Sequence, residues 1–217
     1  MKPSSSLFWS ILVPVLLVLM IYGIEKYLDN KTYLINQSMI AQIARQAKEN
    51  GKNKEDMFKY CEQELERLYP GHILHDTEWL FINAGGWMGS FKLLHASLTE
   101  YVLLFGAAIE TTGHSGRYWA EIYDTVLIGE FRQWKEGETD FSLFLPGDEV
   151  PHHRWEASSV HFGNGTWMLE YGRGMIPSTM LFALADSFTS TMDFVTVWKT
   201  LVIYAKSVGS EMLKLNI

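Results

Sequence analysis

Along the chain, the pattern of apolar and polar positions is most decisive near the start. Leu7 to Ile24 contains no charged side chain, and about 18 residues of helix just reach across a bilayer's hydrocarbon. Trp9 and Tyr22 stand near the two ends of the run, where amphipathic rings favour the headgroup level. Pro14 falls inside it and predicts a kink that a membrane helix tolerates. The pattern predicts a transmembrane helix over 7–27, preceded by a short tail over 1–6. A cleaved leader fits less well, because no small-x-small cleavage pattern follows and only Lys2 precedes the run. Lys2 lies on one side and Lys26 and Lys31 on the other, so positive charge sets the orientation weakly.

Two amphipathic helices follow. Ile40, Ile43, Ala44 and Ala47 recur at helical spacing within Ser38 to Asn50, and Gly51 stops the run. Met57, Cys61, Leu65 and Leu68 form the buried stripe of a second helix from Asn53 to Tyr69, ended by Pro70-Gly71. Together they make a helical connector over 28–75. From Trp79 to Tyr171 runs rich in aromatic and β-branched residues alternate with Gly85-Gly86, Thr112-Gly113, Glu136-Gly137, Pro146-Gly147 and Gly163-Asn164-Gly165. Such spacing predicts a small sandwich or barrel over 76–175. Pro177 suits a first helical turn, and Ser178 to Phe188 is apolar on most sides. Ser190-Thr191 opens a last helix with Asp193 in its first turn. That helix is apolar nearly all round, which predicts lipid contact at the membrane surface for the segment 176–217. The fold class is α+β.

Composition narrows the function. The 217 residues are 47% hydrophobic and carry a net charge of -7, so the chain has a real core and no basic footprint for nucleic acid. Cys61 is the only cysteine, so no internal disulfide forms. No cofactor fingerprint or Ser-His-Asp order is present. His152 and His153 are adjacent and point to opposite faces of a strand, which argues against a shared metal. His95 and His114 suit hydrogen-bonded core or turn roles. Gly85-x-x-x-Gly89 reads as a tight turn or a subunit contact. Sequons at Asn30, Asn36 and Asn164 are at chance level.

Candidate chemistry comes from two acids in apolar rows. Strand alternation places Tyr118, Ala120, Ile122, Asp124, Val126 and Ile128 in one row of a strand spanning Ser115 to Trp134. Glu170 shares a face with Met168, while Trp167, Leu169 and Tyr171 take the other. A carboxylate among hydrocarbon must be paired, protonated or solvated through an opening. Two such groups in contact share a proton, and the charge left over favours an ammonium or a developing carbocation. The opposing reading leaves both acids on a solvent edge.

Longer words carry a resemblance. Asn83-Ala84-Gly85-Gly86-Trp87-Met88-Gly89, the stretch His95 to Gly106, Gly113 to Glu121 and Glu170-Tyr171-Gly172-Arg173-Gly174 resemble the family of the sigma-1 receptor and the fungal C-8 sterol isomerases, over about residues 33 to 208. The resemblance implies a cupin-like β-barrel with an occluded pocket, one transmembrane helix, two membrane-lying C-terminal helices and a homotrimer. It implies that Glu170 binds a ligand's amine, that Asp124 braces Glu170, and that Tyr101 lies in the pocket. It gives the pocket wall as Ile82, Trp87, Phe91, Leu93, Leu103, Phe105, Ile122, Phe162, Met180, Ala183 and Tyr204. Phe162 stands where receptors of the family usually carry tryptophan, and the receptors' N-terminal arginine pair is missing.

Two functions follow as expectations. One is a receptor that binds hydrophobic amines or sterol-like lipids, contacts membrane lipid, and modulates ion channels or chaperones. The other is a sterol 8,7-isomerase with Asp124 and Glu170 as acid and base. The word Glu170 to Thr179 favours the receptor. Of the two acids, Glu170 is expected to be the ionised partner and Asp124 the protonated one. The resemblance places the chain in the endoplasmic reticulum membrane, the nuclear envelope included, as a single-pass protein with a lumenal barrel. No cofactor or metal is expected.

Overall fold

The structure is a computed structural model that describes residues 5–216, with side chains from Phe8 onward. The first four residues of the expected tail, Lys2 among them, lie outside the described residues. The chain divides into two compact units, residues 1–32 and 33–217.

The first unit is one helix, α1 (Ser5–Asn30). Its stretch Phe8–Asn30 is long and apolar enough to cross a bilayer. Ile11, Leu16, Val18, Leu19 and Ile21 are exposed around it, which water alone would not favour. At its C-terminal end Lys26 stands over the Tyr22 ring and Lys31 over the Tyr27 ring.

The second unit opens with α2 (Gln37–Asn50) and α3 (Lys54–Leu68). Each starts at an asparagine whose side chain accepts from a free backbone N–H. Asn36 Oδ1 accepts from Ser38 N at 2.9 Å, and Asn53 Oδ1 accepts from Asp56 N at 2.9 Å. Ile40, Ile43, Ala44 and Ala47 of α2 and Cys61 and Leu65 of α3 are buried, as the periodicity predicts, whereas Met57 and Leu68 of the expected α3 stripe are only partly buried and Phe58 is buried beside it.

Ten strands follow: β1 (Leu80–Ala84), β2 (Trp87–Ala96), β3 (Glu100–Ala107), β4 (Thr111–His114), β5 (Ala120–Ile128), β6 (Phe131–Lys135), β7 (Ser142–Phe144), β8 (Glu149–His152), β9 (Ser158–Phe162) and β10 (Thr166–Gly174). The expected cupin-like barrel takes the form of two antiparallel sheets. One has the order β1-β2-β3-β10-β5-β8, the other β4-β9-β6-β7. Gly85 and Gly86, with φ of 58° and 88°, make the two-residue turn between β1 and β2.

The strand expected from Ser115 to Trp134 is two strands. β5 ends at Ile128, Gly129 turns with φ 85°, and β6 joins the other sheet. Ile128 also leaves the row of Asp124. The β5–β10 register shifts at Trp167/Met168, a bulge that moves Ile128 to the α2–α3 side.

The six-stranded sheet has a core on each face. Ile43, Cys61, Leu104, Leu169 and Tyr171 pack between it and α2 and α3. Phe91, Phe105, Ile122, Phe131, Phe162 and Met168 pack between the two sheets. Helices α4 (Pro177–Thr189) and α5 (Phe194–Leu213) complete the unit. Asp193 is the cap of α5 and not a first-turn residue. Its carboxylate accepts from Thr196 N at 3.0 Å, while Ser190 closes α4.

Candidate functional site

The site arises from strand register. β10 lies between β3 and β5, and Glu170 is the direct partner of Asp124 across the β10–β5 ladder. Directly opposed side chains on one face are neighbours, so the two acids stand side by side on the face between the sheets. On the other flank Tyr101 of β3 pairs with Gly172. A Cβ at position 172 would lie 2.2 Å from Tyr101 Cε1. The missing side chain therefore lets the phenol lie across β10, where its hydroxyl donates to Glu170 Oε1 at 2.5 Å.

Asp124 is held from its other side. His152, on β8, lies 3.0 Å from Asp124 Oδ2 through Nε2. Gln133 of β6 donates its amide nitrogen to His152 Nδ1 at 3.2 Å. The imidazole proton then sits on Nε2 and is donated to Asp124. Asp124 Oδ1 meets no ordinary donor, so a hydrogen bond there needs a proton shared with Glu170. The chain Tyr101–Glu170–Asp124–His152–Gln133 thus crosses the cavity wall through groups from five strands.

Burial sets the charge states. It pushes Asp124 up to about 7, with the hydrogen bond from Glu170 opposing. It raises Glu170 well above the usual carboxyl range, and the charge of Asp124 raises it further. His152 is driven down to about 4 by burial and is neutral at physiological pH. The phenols of Tyr101 and Tyr118 are raised well above 10, first by burial and then by Glu170. At neutral pH the pair therefore holds at least one proton and one negative charge at most, and in the empty site the proton favours Glu170 and the charge Asp124, the reverse of the expectation from sequence.

These groups face a cavity of about 140 Å³. The structure brings all fourteen residues singled out from the sequence to its wall: Ile82, Trp87, Phe91, Leu93, Tyr101, Leu103, Phe105, Ile122, Asp124, Phe162, Glu170, Met180, Ala183 and Tyr204. Asp124 is 2% exposed, and Glu170 lines the cavity with the surface it retains. Neither is an edge residue in water. Trp87, Phe105, Phe131 and Phe162 make an aromatic cage with ring centroids 5.0 to 6.3 Å apart. From the C-terminal helices come Thr179, Met180, Ala183, Thr200 and Tyr204.

His152, Gln133 and Tyr118 were not singled out by sequence. Tyr118 shared the apolar row of Asp124, so a signal was present. His152 drew notice only beside His153, and its place next to Asp124 depends on β8 pairing with β5. His95 Nδ1 and the His72 carbonyl are 2.8 Å apart, and His114 Nδ1 accepts from Gly116 N, the core and turn roles expected.

Fold and site define an α+β protein with an apolar N-terminal helix and a two-sheet body around an acidic, aromatic-lined cavity. The family model described as ERG2 and Sigma1 receptor like protein matches residues 11–216. The chain belongs to this family of ERG2 and sigma-1 receptor-like proteins. It is 56% identical to sigma non-opioid intracellular receptor 1 of Taricha granulosa over 192 residues, 88% of this chain and 85% of that one. The receptor of Danio rerio is 53% identical over 90% of this chain and 88% of its own. The C-8 sterol isomerase of Aspergillus fumigatus is 34% identical over 88% of this chain and 82% of its own. Among solved structures, an RmlC-like cupin from Shewanella frigidimarina overlaps 48% of this chain and 90% of its own, at TM-score 0.41 and 14% identity.

Proposed function

We propose that this chain is a receptor-like protein of the endoplasmic reticulum membrane that takes up hydrophobic amines or sterol-like lipids in its cavity. Glu170 meets the cationic centre, and the shared proton, held by Glu170 in the empty site, moves to Asp124 as the guest enters. The protein acts by modulating partners, ion channels or chaperones among them, and lipid handling. The observation that carries this reading is the hydrogen-bonded chain from Tyr101 to His152 set in an apolar, aromatic wall. One negative charge held there away from water attracts an ammonium far more strongly than a surface carboxylate does. The test is Glu170→Gln, which keeps the volume and removes the charge. A tritiated hydrophobic amine should lose at least a hundredfold in affinity while circular dichroism stays unchanged. Tight binding by the folded variant would refute the role of Glu170.

The pair also suits a sterol 8,7-isomerase, and the 34% match to a C-8 sterol isomerase favours keeping that second reading. The protonated acid would give its proton to the alkene, and the carboxylate would remove a neighbouring proton from the carbocation. The total number of protons on the pair is unchanged. Expression in a yeast strain lacking its own 8,7-isomerase separates the readings. Restored sterols would establish the enzyme.

The proposal extends to assembly. Trp134, Phe141, Leu143 and Leu145 are exposed around β6 and β7, which supports burial against further copies in a trimer. Leu181, Phe188, Phe194 and Trp198 are exposed on α4 and α5, which supports their lying in the membrane surface with the two-sheet body lumenal.

A further inference from the structure

A second polar group on the cavity wall has no partner. Thr200 of α5 is 7% exposed and lines the cavity. Its Oγ1 is buried and makes no hydrogen bond. A threonine inside a helix ordinarily turns its hydroxyl back to the carbonyl four residues earlier, as Thr189 of α4 does to Ala185 at 2.8 Å. Thr200 forgoes that bond. Five other wall hydroxyls have partners. Tyr101 donates to Glu170, Tyr118 to the Ser115 carbonyl, Thr179 to the Ile176 carbonyl and Thr196 to Asp193. Tyr204 reaches the Ser97 carbonyl at 3.4 Å.

A buried hydroxyl with no partner is unfavourable, and on this wall a polar group that enters the cavity relieves it without the helix back-bond that Thr200 forgoes. The acids sit on β5 and β10, whereas Thr200 sits on α5, so the two polar points belong to different walls. The space between them is hydrocarbon and aromatic ring.

We propose that Thr200 is a second anchor of the cavity, one that selects guests carrying a neutral oxygen, hydroxyl or carbonyl, at the end remote from their cationic centre. A hydroxyl both donates and accepts, so either oxygen type fits. A guest with a purely alkyl tail fills the same space but leaves Oγ1 unpaired. The cavity thus reads both ends of its guest: charge at Glu170, a neutral oxygen at Thr200. This inference rests on the amine-binding reading for the first end only.

The test uses a homologous series of N,N-dimethylalkylamines, each with and without a terminal hydroxyl, bound to the full-length protein in detergent. In an apolar cavity the added hydroxyl normally weakens binding. With Thr200 present the penalty should vanish at one chain length. In Thr200→Val, which matches threonine in shape, the ratio of hydroxylated to plain Kd at that length should rise about tenfold. Thr200→Ser, which keeps the hydroxyl, should restore the wild-type ratio. Equal ratios in wild type and Thr200→Val at every length would overturn the proposal. Absence of all amine binding by the wild type would count against the Glu170 reading alone. The oxygen anchor is then read by thermal shift with a saturated steroid hydrocarbon and its monohydroxy derivative. Greater stabilisation by the alcohol that depends on Thr200 supports the anchor, and equal stabilisation in wild type and Thr200→Val overturns it.

Discussion

Asp124 and His152 lie 3.0 Å apart, and burial drives their titrations in opposite directions. Asp124 rises from 3.8 to about 7. The folded state holds its proton more tightly, so its contribution is full at low pH and is lost as pH rises through about 7. His152 falls from 6.5 to about 4. Its contribution is present above 6.5 and is lost as pH falls through about 4. The slopes of Asp124 and His152 offset each other between these limits, which leaves the loss from Glu170, raised well above its ordinary 4.5, unopposed. Above about pH 6.5 the losses from Asp124 and Glu170 both run without a counterpart. The Tm of the ligand-free protein should therefore decline through neutrality, and Asp124→Asn with Glu170→Gln should flatten that decline. Affinity for a quaternary ammonium, whose own charge never changes, should move the other way. Binding needs one ionised acid, so Kd should weaken about tenfold per pH unit below about 7 and level off above it. Calorimetry showing one constant Kd from about pH 5 to about pH 8 would contradict the shared-proton site. Gly172 offers a second test, since a methyl there must displace the Tyr101 ring. Gly172→Ala should weaken amine binding about tenfold through loss of the phenol's charge-assisted bond, measured on protein with unchanged circular dichroism.

Among the elements, β3 shows how one strand serves both faces of a sheet. Tyr101 turns to the cavity. Its neighbour Glu100 turns to the helical side, where it is fully buried and accepts from Leu34 N at 3.0 Å and Ile35 N at 3.1 Å. Tyr171 joins them, donating to the Ile35 carbonyl at 3.0 Å. The carboxylate of Glu100 thus fastens the segment before α2 to the sheet. Glu100→Ala leaves two backbone N–H groups without partners, and urea unfolding should register a loss of about 2–4 kcal/mol. Alternation alone puts Asp124 and Glu170 in apolar rows, because polar interruptions of such a row are visible in one dimension, but it leaves open whether those faces meet a cavity or a solvent edge. The helices were equally legible, since Asn36 and Asn53 precede clean 3.6-residue stripes. Pairing was not legible. That Glu170 faces Asp124, and that β8 brings His152 to it, depends on which distant strands adjoin. The bulge that turns Ile128 away depends on close packing that no local pattern records. The amine role proposed for Glu170 rests on the family resemblance of its sequence words, and Thr200 carries no signal at all, because a threonine inside an apolar helix is commonplace.

For the molecule as a whole, exposed apolar surface is the main guide to its surroundings. Cys61 is buried and its thiol is pushed up to about 12 by burial, so a cysteine placed at Leu181 or Trp198 can be labelled selectively. In vesicles a fluorophore at either position should be quenched by brominated lipid, whereas one at Glu138, in the exposed β6–β7 turn, should not. Equal quenching at all three positions would remove the case for membrane-lying helices. Trp134, 51% exposed, should matter for assembly instead. Trp134→Glu should shift the detergent-solubilised protein to smaller oligomers by light scattering, and an unchanged mass would place the contact elsewhere. Helix α5 joins these scales. Ser207 accepts from the Ala96 amide and donates to the Ala96 carbonyl, both at 2.8 Å. The helix is thereby riveted to β2, a wall of the cavity, while Trp198 is turned outward. Guest occupancy and the outer face of α5 therefore share one mechanical part. Whatever free energy a guest contributes by tightening that helix must reappear, equal in size, as an altered affinity of its outer face for whatever it touches.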